Sequence, residues 1–233
     1  MKSSAQTRSD KFFYFGMTLL IAAVVSYGFG RTIDEGLIHP EAPLPSILYV
    51  HVAVFVGWIV LLLVQSGLVR AHQVALHRRL GMSGLALGAV LPLLGLATVI
   101  AMKKWESQRE AVNSAALAIS INDMLSFAVA FGLAVYWRRK PELHRRLMII
   151  ASCCLTVAAF ARFPSYLVPK LSWYAYVDAL IVLGMLRDLV MSGSIHVVYR
   201  YALPCVMAGQ ALAMYLLLAA PQAWVSFTGA LLK

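Results

Sequence analysis

Long runs of apolar residues, separated by short polar and basic stretches, dominate the chain. A membrane-crossing helix needs about 20 mostly apolar residues to cover about 30 Å of hydrocarbon. Runs of that length recur, and they lack the strict apolar–polar alternation of a membrane β-strand. The pattern therefore predicts an all-α, polytopic transmembrane bundle of seven helices in one domain, 1–233. The predicted spans are residues 12–29, 47–69, 82–102, 115–137, 147–163, 173–190 and 201–218.

Composition supports membrane burial. Of the 233 residues, 61% are hydrophobic and only 13% are charged, whereas soluble domains carry about 25% charged residues. A soluble globule of this composition would expose large apolar patches. The three cysteines lie inside apolar runs and form no C-x-x-C pair, so they predict neither a redox motif nor a zinc knuckle. The polar start of the chain and the apolar run after it could form a signal peptide. No small-residue cleavage site follows that run, so residues 12–29 are interpreted as a retained helix.

Loop charges predict the orientation. The net charge is +10, and thirteen of the 20 Lys and Arg residues fall on the N-terminal side of the predicted bundle. The positive-inside rule then places the N-terminus inside and the C-terminus outside. We expect a multi-pass protein of the bacterial cytoplasmic (inner) membrane, with anionic lipid headgroups and other membrane subunits as partners. Nucleic acid is not an expected partner, because no basic stripe is interleaved with aromatic residues.

A short motif marks two of the predicted turns on the cytoplasmic side. Leu-His-Arg-Arg-Leu occurs at 76–80 and again at 143–147, and a looser echo with histidine and arginine occurs at 196–200. The chain is therefore interpreted as one helix followed by three helical hairpins, each with a histidine at its turn. Internal repeats in membrane proteins often place a site at their interface.

Ionisable residues inside the spans are the first candidate site. Such residues are costly in a bilayer and usually face the bundle interior. Helical rise places His51, Asp123, Arg162 and Asp178 at similar depths in the outer half of the bundle. One acid would pair with Arg162 and the other would hold a ring N–H of His51. The proposed ligand-binding residues are His51, Asp123, Arg162, Asp178, Asn122 and Tyr49.

Two interpretations of this cluster remain open. It could bind a small amphipathic ligand, such as a lipid headgroup or a quinone, in a sensor, a transporter or a subunit of a complex. Alternatively, the charged groups could neutralise one another and hold the helices of a structural subunit together.

The histidines of the cytoplasmic turns are the second candidate. His77, His144 and His196 could bind a metal ion, or two of them could ligate a haem. The protein would then be a redox or metal-binding subunit, and whether it is an enzyme stays open. The alternative is that these histidines and the arginines after them are interfacial anchors. A two-haem carrier is not supported, because only His51 lies deep in a span.

The motifs resemble those of a large group of bacterial predicted membrane proteins with no established activity. The likeness covers predicted spans two to six. It rests on His51-x-x-x-Phe55 leading to Gln65, His77-Arg78-Arg79-Leu80-Gly81, Asp123-Met124, His144-Arg145-Arg146-Leu147-Met148 and Ala161-Arg162-Phe163-Pro164. Members often have a second histidine where this chain has Tyr49. The resemblance implies a multi-spanning membrane protein and no particular reaction.

Overall fold

The computed structural model of the protein describes residues 4–232, with side chains from Phe12 to Leu232. The basic residues Lys2, Arg8 and Lys11, which enter the charge count, lie outside the described side chains. The described chain is helical and contains no strand, so the all-α prediction is confirmed. Its α-helices are α1 Ser4–Gly30, α2 Ser46–Arg70, α3 Val74–Ser107, α4 Leu117–Tyr136, α5 Pro141–Cys154, α6 Val157–Phe160, α7 Trp173–Ser192, α8 Val197–Leu218 and α9 Gln222–Leu231.

Six segments of the described chain are long and apolar enough to cross a membrane. They lie in α1, α2, α3, α4, α5 with α6, and α8. Large apolar side chains point outward from them, with Leu93 72% exposed and Leu125 62% exposed. An outward apolar surface is what a multi-pass membrane protein presents to lipid. The remaining long helix, α7, carries three charged residues, Asp178, Arg187 and Asp188, within 20 residues and is not among these six segments.

Several helices differ from their predicted bounds, and the third and fifth predicted spans show why. α3 begins at Val74 and not at residue 82, because the polar segment before the apolar run is also helical. Its 34 residues extend about 51 Å, well beyond the hydrocarbon thickness. The fifth predicted span is two helices, since α5 ends at Cys154 and α6 begins at Val157. At this break the hydroxyl of Thr156 donates to the backbone carbonyl of Cys153 at 2.6 Å.

The interrupted α5–α6 segment lies at the centre of the bundle. In its most apolar window 67% of the residues are buried, against 11–39% for the other five segments. α5 packs against α4 and α7, and α6 packs against α1. An aromatic cluster ties α2 to α4 beside it, with Trp58 edge-on to Phe127 and to Phe131 at ring separations of 5.3 and 5.6 Å.

Short turns connect the hairpins at one end of the bundle. Residues 71–73 join α2 to α3, 137–140 join α4 to α5, and 193–196 join α7 to α8. We call this end the turn face and the other end the opposite face. At the opposite face α9 packs against the short 3-10 turn Ser114–Ala116 that precedes α4, where the Trp224 indole N–H donates to the Ala115 carbonyl at 3.1 Å.

Candidate functional site

The four ionisable residues predicted to meet form two separate groups. Asp123 and Asp178 lie between α4, α7 and α8, whereas His51 and Arg162 lie near α1 and α2. Among the described side chains, neither acid forms an ion pair with Arg162. The predicted partnership of the arginine with a carboxylate is therefore absent from this structure.

Asp123 is held by two neutral donors. The Tyr174 hydroxyl donates to Asp123 Oδ1 at 3.0 Å, and Asn122 Nδ2 donates to the same oxygen at 3.3 Å. Asn122 Nδ2 also donates to the Tyr174 oxygen at 3.0 Å, which closes the triangle. The carboxylate is 8% exposed and Tyr174 is 6% exposed. α4 and α7 are thus linked by a buried polar contact inside the bundle.

Asp178 lies one helical turn after Tyr174 on α7 and contacts α8. Its Oδ1 accepts a hydrogen bond from Gln210 Nε2 at 2.9 Å, and Gln210 is 5% exposed. Both carboxylates lie within electrostatic range of the Cys154 thiol at the end of α5. The two acids therefore lie close to the break between α5 and α6.

A narrow cleft lies among these groups, and we call it the acidic cleft. Its empty volume is about 150 Å³, yet its walls approach so closely that no water molecule fits. Asn122, Asp123, Ser126, Cys154, Val157, Tyr174, Val177, Val206 and Gln210 line it. Polar groups of α4, α7 and α8 thus face a wall that includes three valines, in a cleft that is too narrow to hold a ligand as it stands.

Arg162 and His51 lie outside this cleft. Arg162 Nη1 donates to the backbone carbonyl of Ala158 at 2.6 Å, and its guanidinium lies 4.3 Å from the centre of the Phe29 ring. His51 stacks on Phe55 at 4.1 Å, and its Nδ1 is buried without a hydrogen-bond partner among the described residues. Tyr49 is 46% exposed and does not line the cleft. Of the predicted ligand-binding residues, the structure brings together Asn122, Asp123 and, one contact away, Asp178.

The three histidines of the turn face do not converge on one point. His77 and His144 are neighbours with ring centres 6.5 Å apart. His196 instead caps the start of α8, where its Nδ1 accepts the Val198 backbone N–H at 3.2 Å. Burial lowers the pKa of His196, which agrees with a neutral ring that accepts this bond. In the described part of the chain, no three His, Cys, Asp or Glu side chains are grouped to hold a metal ion.

A charged cluster near the turn face is absent from the sequence predictions. Arg146 makes a two-pronged ion pair with Asp188, with Nε to Oδ2 at 2.7 Å and Nη2 to Oδ1 at 2.8 Å. Arg146 also pairs with Glu142 at 2.8 Å, and Arg187 pairs with Asp188 at 2.8 Å. Arg146 is 3% exposed and Asp188 is 1% exposed. This cluster joins α5 to α7, and Arg145 extends it to α1 by lying 4.7 Å from the centre of the Tyr14 ring.

Some of the missed residues had a signal in the sequence. Tyr174 precedes Asp178, and Glu142 precedes Arg146, by the four residues that place side chains on the same face of a helix. Asp188 directly follows Arg187 near the end of the predicted span 173–190. An acid at this end of the bundle is a signal, because the other charged residues there are mostly basic. Gln210 had no such signal, because its role depends on how α8 is rotated against α7.

Comparison with protein-family models, with curated proteins and with solved structures gives no match to this chain. The residues themselves are therefore the basis for inferring function. The acidic cleft offers carboxylate oxygens and uncharged polar groups in an apolar setting. An isolated carboxylate is costly to bury in such a setting, so it carries a proton or meets a cation. Proton exchange and the binding of cationic groups are the chemistry that this arrangement allows.

Proposed function

We propose that the protein is a multi-pass integral membrane protein that binds a small polar or amphipathic ligand at the acidic cleft. It would act as a sensor, a transporter or a subunit of a larger membrane complex. The observation that carries this proposal is Asp123, a buried carboxylate between helices that is held by Tyr174 and Asn122 and by no basic side chain of the described chain. Intramembrane ionisable residues without a countercharge commonly mark ligand, ion or proton sites.

The lining of the cleft favours one class of ligand. A quinone or an anionic headgroup needs donors, but the donors Tyr174, Asn122 and Gln210 already bond to carboxylates. A ligand with a positive charge or several N–H groups would instead meet the oxygens of Asp123. The valines of the wall suit a short hydrocarbon tail. We therefore favour a small organic cation, with a proton as the simplest alternative occupant.

The break between α5 and α6 supports a binding role. Interrupted helices near the middle of a bundle supply backbone groups to the sites of many transporters. Here the break lies in the most buried span, and Cys154 and Val157 on either side of it line the cleft. Because the cleft is narrow, a ligand would enter only when side chains of α4, α7 or α8 move.

We further propose that α7 is a seventh crossing, that the turn face is cytoplasmic, and that the membrane is a bacterial inner membrane. The charge bias of the loops supports this orientation. The paired charges near the end of α7 support the crossing, since pairing reduces the cost of placing ionic groups in a bilayer. The acidic cleft then lies in the outer half.

The proposed function is tested with purified full-length protein in lipid nanodiscs and a series of alkylammonium ions from butyl to octyl. We expect the midpoint of thermal unfolding to rise with these ions and not with alkyl carboxylates of equal length. Asp123→Asn removes the carboxylate while keeping its shape, so the shift should disappear in that variant. Glu106→Asn, at a partly exposed ion pair near the end of α3, is the control that should respond like the wild type.

A structural role for the carboxylates predicts a different result. In that case the wild type shows no ammonium-dependent shift at any chain length or pH, and Asp123→Asn simply unfolds at a lower temperature. That combination would contradict the proposed binding function.

A further inference from the structure

The two repeated His-Arg-Arg-Leu motifs meet at the turn face through their histidines. His77 lies in the first turn of α3 and His144 in the first turn of α5. Their ring centres are 6.5 Å apart and their planes are inclined at 78°. The two histidines are remote from the acidic cleft, so a site formed by them is independent of the proposed function.

Each ring lies against a backbone carbonyl of the preceding helix. His144 Nδ1 is 2.9 Å from the carbonyl oxygen of Ala134 on α4. In a neutral ring Nδ1–H donates this bond, which leaves the lone pair on Nε2. His77 lies beside the backbone carbonyl of Gln65 on α2, and its Nδ1 is buried without a hydrogen-bond partner among the described residues. Histidines that ligate metals are oriented as His144 is, with one nitrogen on a carbonyl or carboxylate and the other on the metal.

The two rings are close enough to share an ion after a small movement. Metal–nitrogen bonds of about 2.0–2.1 Å place the centres of two ligating imidazoles roughly 5 Å apart at a tetrahedral metal and about 6.4 Å apart when the two nitrogens lie on opposite sides of it. The observed 6.5 Å lies just beyond this limit, so the side-chain torsions must bring the rings about 1 Å closer for a tetrahedral ion to bind. Both side chains are partly buried, and because the unpartnered Nδ1 of His77 is itself covered, the same ring movement must expose it to the ion.

We infer that His77 and His144 form a two-histidine site for a borderline divalent transition-metal ion, of the class of Zn²⁺, Ni²⁺ or Cu²⁺. Imidazole suits these ions, whereas Mg²⁺ and Ca²⁺ require oxygen ligands. The positive charge of Arg78 acts on His77 and would repel a metal cation. The affinity of the site therefore comes from coordination by the imidazole nitrogens and not from a negative surface. Water completes the coordination shell. His196 is not a ligand, because its Nδ1 already accepts the Val198 N–H.

The site is tested on the full-length protein, purified without a histidine tag and freed of metal with a chelator. Titration calorimetry with Zn²⁺ should give one equivalent bound per chain. His77→Ala and His144→Ala should each raise the dissociation constant by at least about tenfold, since even loss of an orienting partner of a ligand costs about 10–100-fold. The control is His39→Ala, a change at an exposed histidine paired with Asp34 outside the turn face, and its affinity should equal that of the wild type.

A measurement on the unmodified protein guards against variants that fail to fold. With one equivalent of Cu²⁺, the electron paramagnetic resonance spectrum should show splitting from two imidazole nitrogens. Failure of the wild type to bind Zn²⁺ at micromolar concentration, or undiminished binding in a His77→Ala/His144→Ala double variant, would overturn the inference. So would a Soret band in the purified protein that disappears in His144→Ala, because the ligand would then be a haem.

Discussion

Asp123 illustrates how the environment of one side chain is set by two helices. Its position on α4 sets its depth, Tyr174 on α7 donates to it, and Asn122 donates to both. In hydrocarbon no water can replace a lost donor, so each partner limits which charge state the carboxylate can adopt. The triangle therefore combines a stabilising contact with the chemistry proposed for the cleft.

The Tyr174 hydroxyl should contribute measurably to stability. Tyr174→Phe removes one donor from a buried carboxylate and leaves the ring in place. Intramembrane hydrogen bonds average about 0.6 kcal/mol and reach about 1.7 kcal/mol, so we expect the free energy of unfolding to fall by about 1 kcal/mol. Reversible unfolding in mixed micelles with increasing denaturing detergent measures the change.

Tyr136→Phe is the matched control, because Tyr136 is 74% exposed and should be neutral. If both tyrosine variants unfold at the same detergent fraction, the hydrogen bond to Asp123 contributes nothing and the triangle loses its structural basis.

The sequence predicts a depth for each site residue but not the direction in which its side chain points. The rise of an α-helix is constant, so the number of residues from a span end gives depth directly. Asp123 and Asp178 both act electrostatically on the Cys154 thiol. The direction in which a side chain points depends on how its helix is rotated against its neighbours. The spacing of residues along a single sequence does not determine this rotation. Arg162 therefore lies against Phe29 and not against a carboxylate, and Gln210 was not predicted to contact Asp178.

At the scale of the helices, the Arg146–Asp188 pair is the strongest polar link between α5 and α7. Asp188→Asn leaves Arg146, which is 3% exposed, with a weaker partner inside the bundle. Breaking a buried ion pair by removing one charge costs about 3–5 kcal/mol, so we expect a large drop in unfolding free energy. The same detergent titration measures it.

A double variant separates charge from packing at this contact. Arg146→Met/Asp188→Leu removes both charges, and buried ion pairs replaced by apolar residues are commonly neutral or stabilising. The double variant should therefore recover most of the loss of Asp188→Asn. Glu106→Gln, at the partly exposed pair with Lys103, should change stability by no more than about 1 kcal/mol. If the double variant loses as much unfolding free energy as Asp188→Asn does, the ion pair itself is stabilising.

Close approach of α1 and α6 depends on Gly28. A Cβ at this position would clash with the backbone oxygen of Ala159, and a backbone carbonyl cannot rotate away as a side chain can. Small residues allow such contacts between membrane helices. Gly28→Ala should destabilise the protein by about 1–3 kcal/mol, the usual range for overpacking.

Gly16→Ala on the same helix is the control for Gly28→Ala. Nothing lies within 4 Å of a Cβ at Gly16, so this change should be neutral or slightly stabilising through helix propensity. Equal behaviour of the two alanine variants in thermal unfolding would contradict the close α1–α6 contact.

Helix ends were predicted well where the polar boundary is sharp. α2 begins at Ser46 and ends at Arg70, one residue outside the prediction at each end. α3 and α5 begin earlier than predicted, because hydropathy locates the apolar part of a helix and not its polar first turns. The break at residues 155–156 had no predictive pattern, because the apolar run continues through it and the break reflects packing at the centre of the bundle.

For the whole molecule, the position of α7 decides the topology. If six helices cross the membrane, both chain ends lie on the same side. If seven helices cross, the two chain ends lie on opposite sides. Six segments meet the length and hydropathy of a span, whereas α7 has three charged residues. Those charges are compatible with a crossing because Asp178 bonds to Gln210 and Asp188 pairs with Arg146 and Arg187.

Cysteine labelling on either side of α7 tests the seventh crossing. In a Cys205→Ser background, single cysteines replace Lys170 before α7 and Ser194 after it, both of which are exposed. In right-side-out vesicles a membrane-impermeant maleimide should label Lys170→Cys at once and Ser194→Cys only after permeabilisation. Arg109→Cys and Arg138→Cys, at exposed positions on either side of α4, calibrate the outer and inner signals. Equal labelling at 170 and 194 would mean that α7 does not cross, while an inverted pattern at all four positions would keep the crossing and reverse the orientation. In the inverted case, the acidic cleft would face the cytoplasm and the two-histidine site the outside, so this measurement also fixes the side from which each ligand must come.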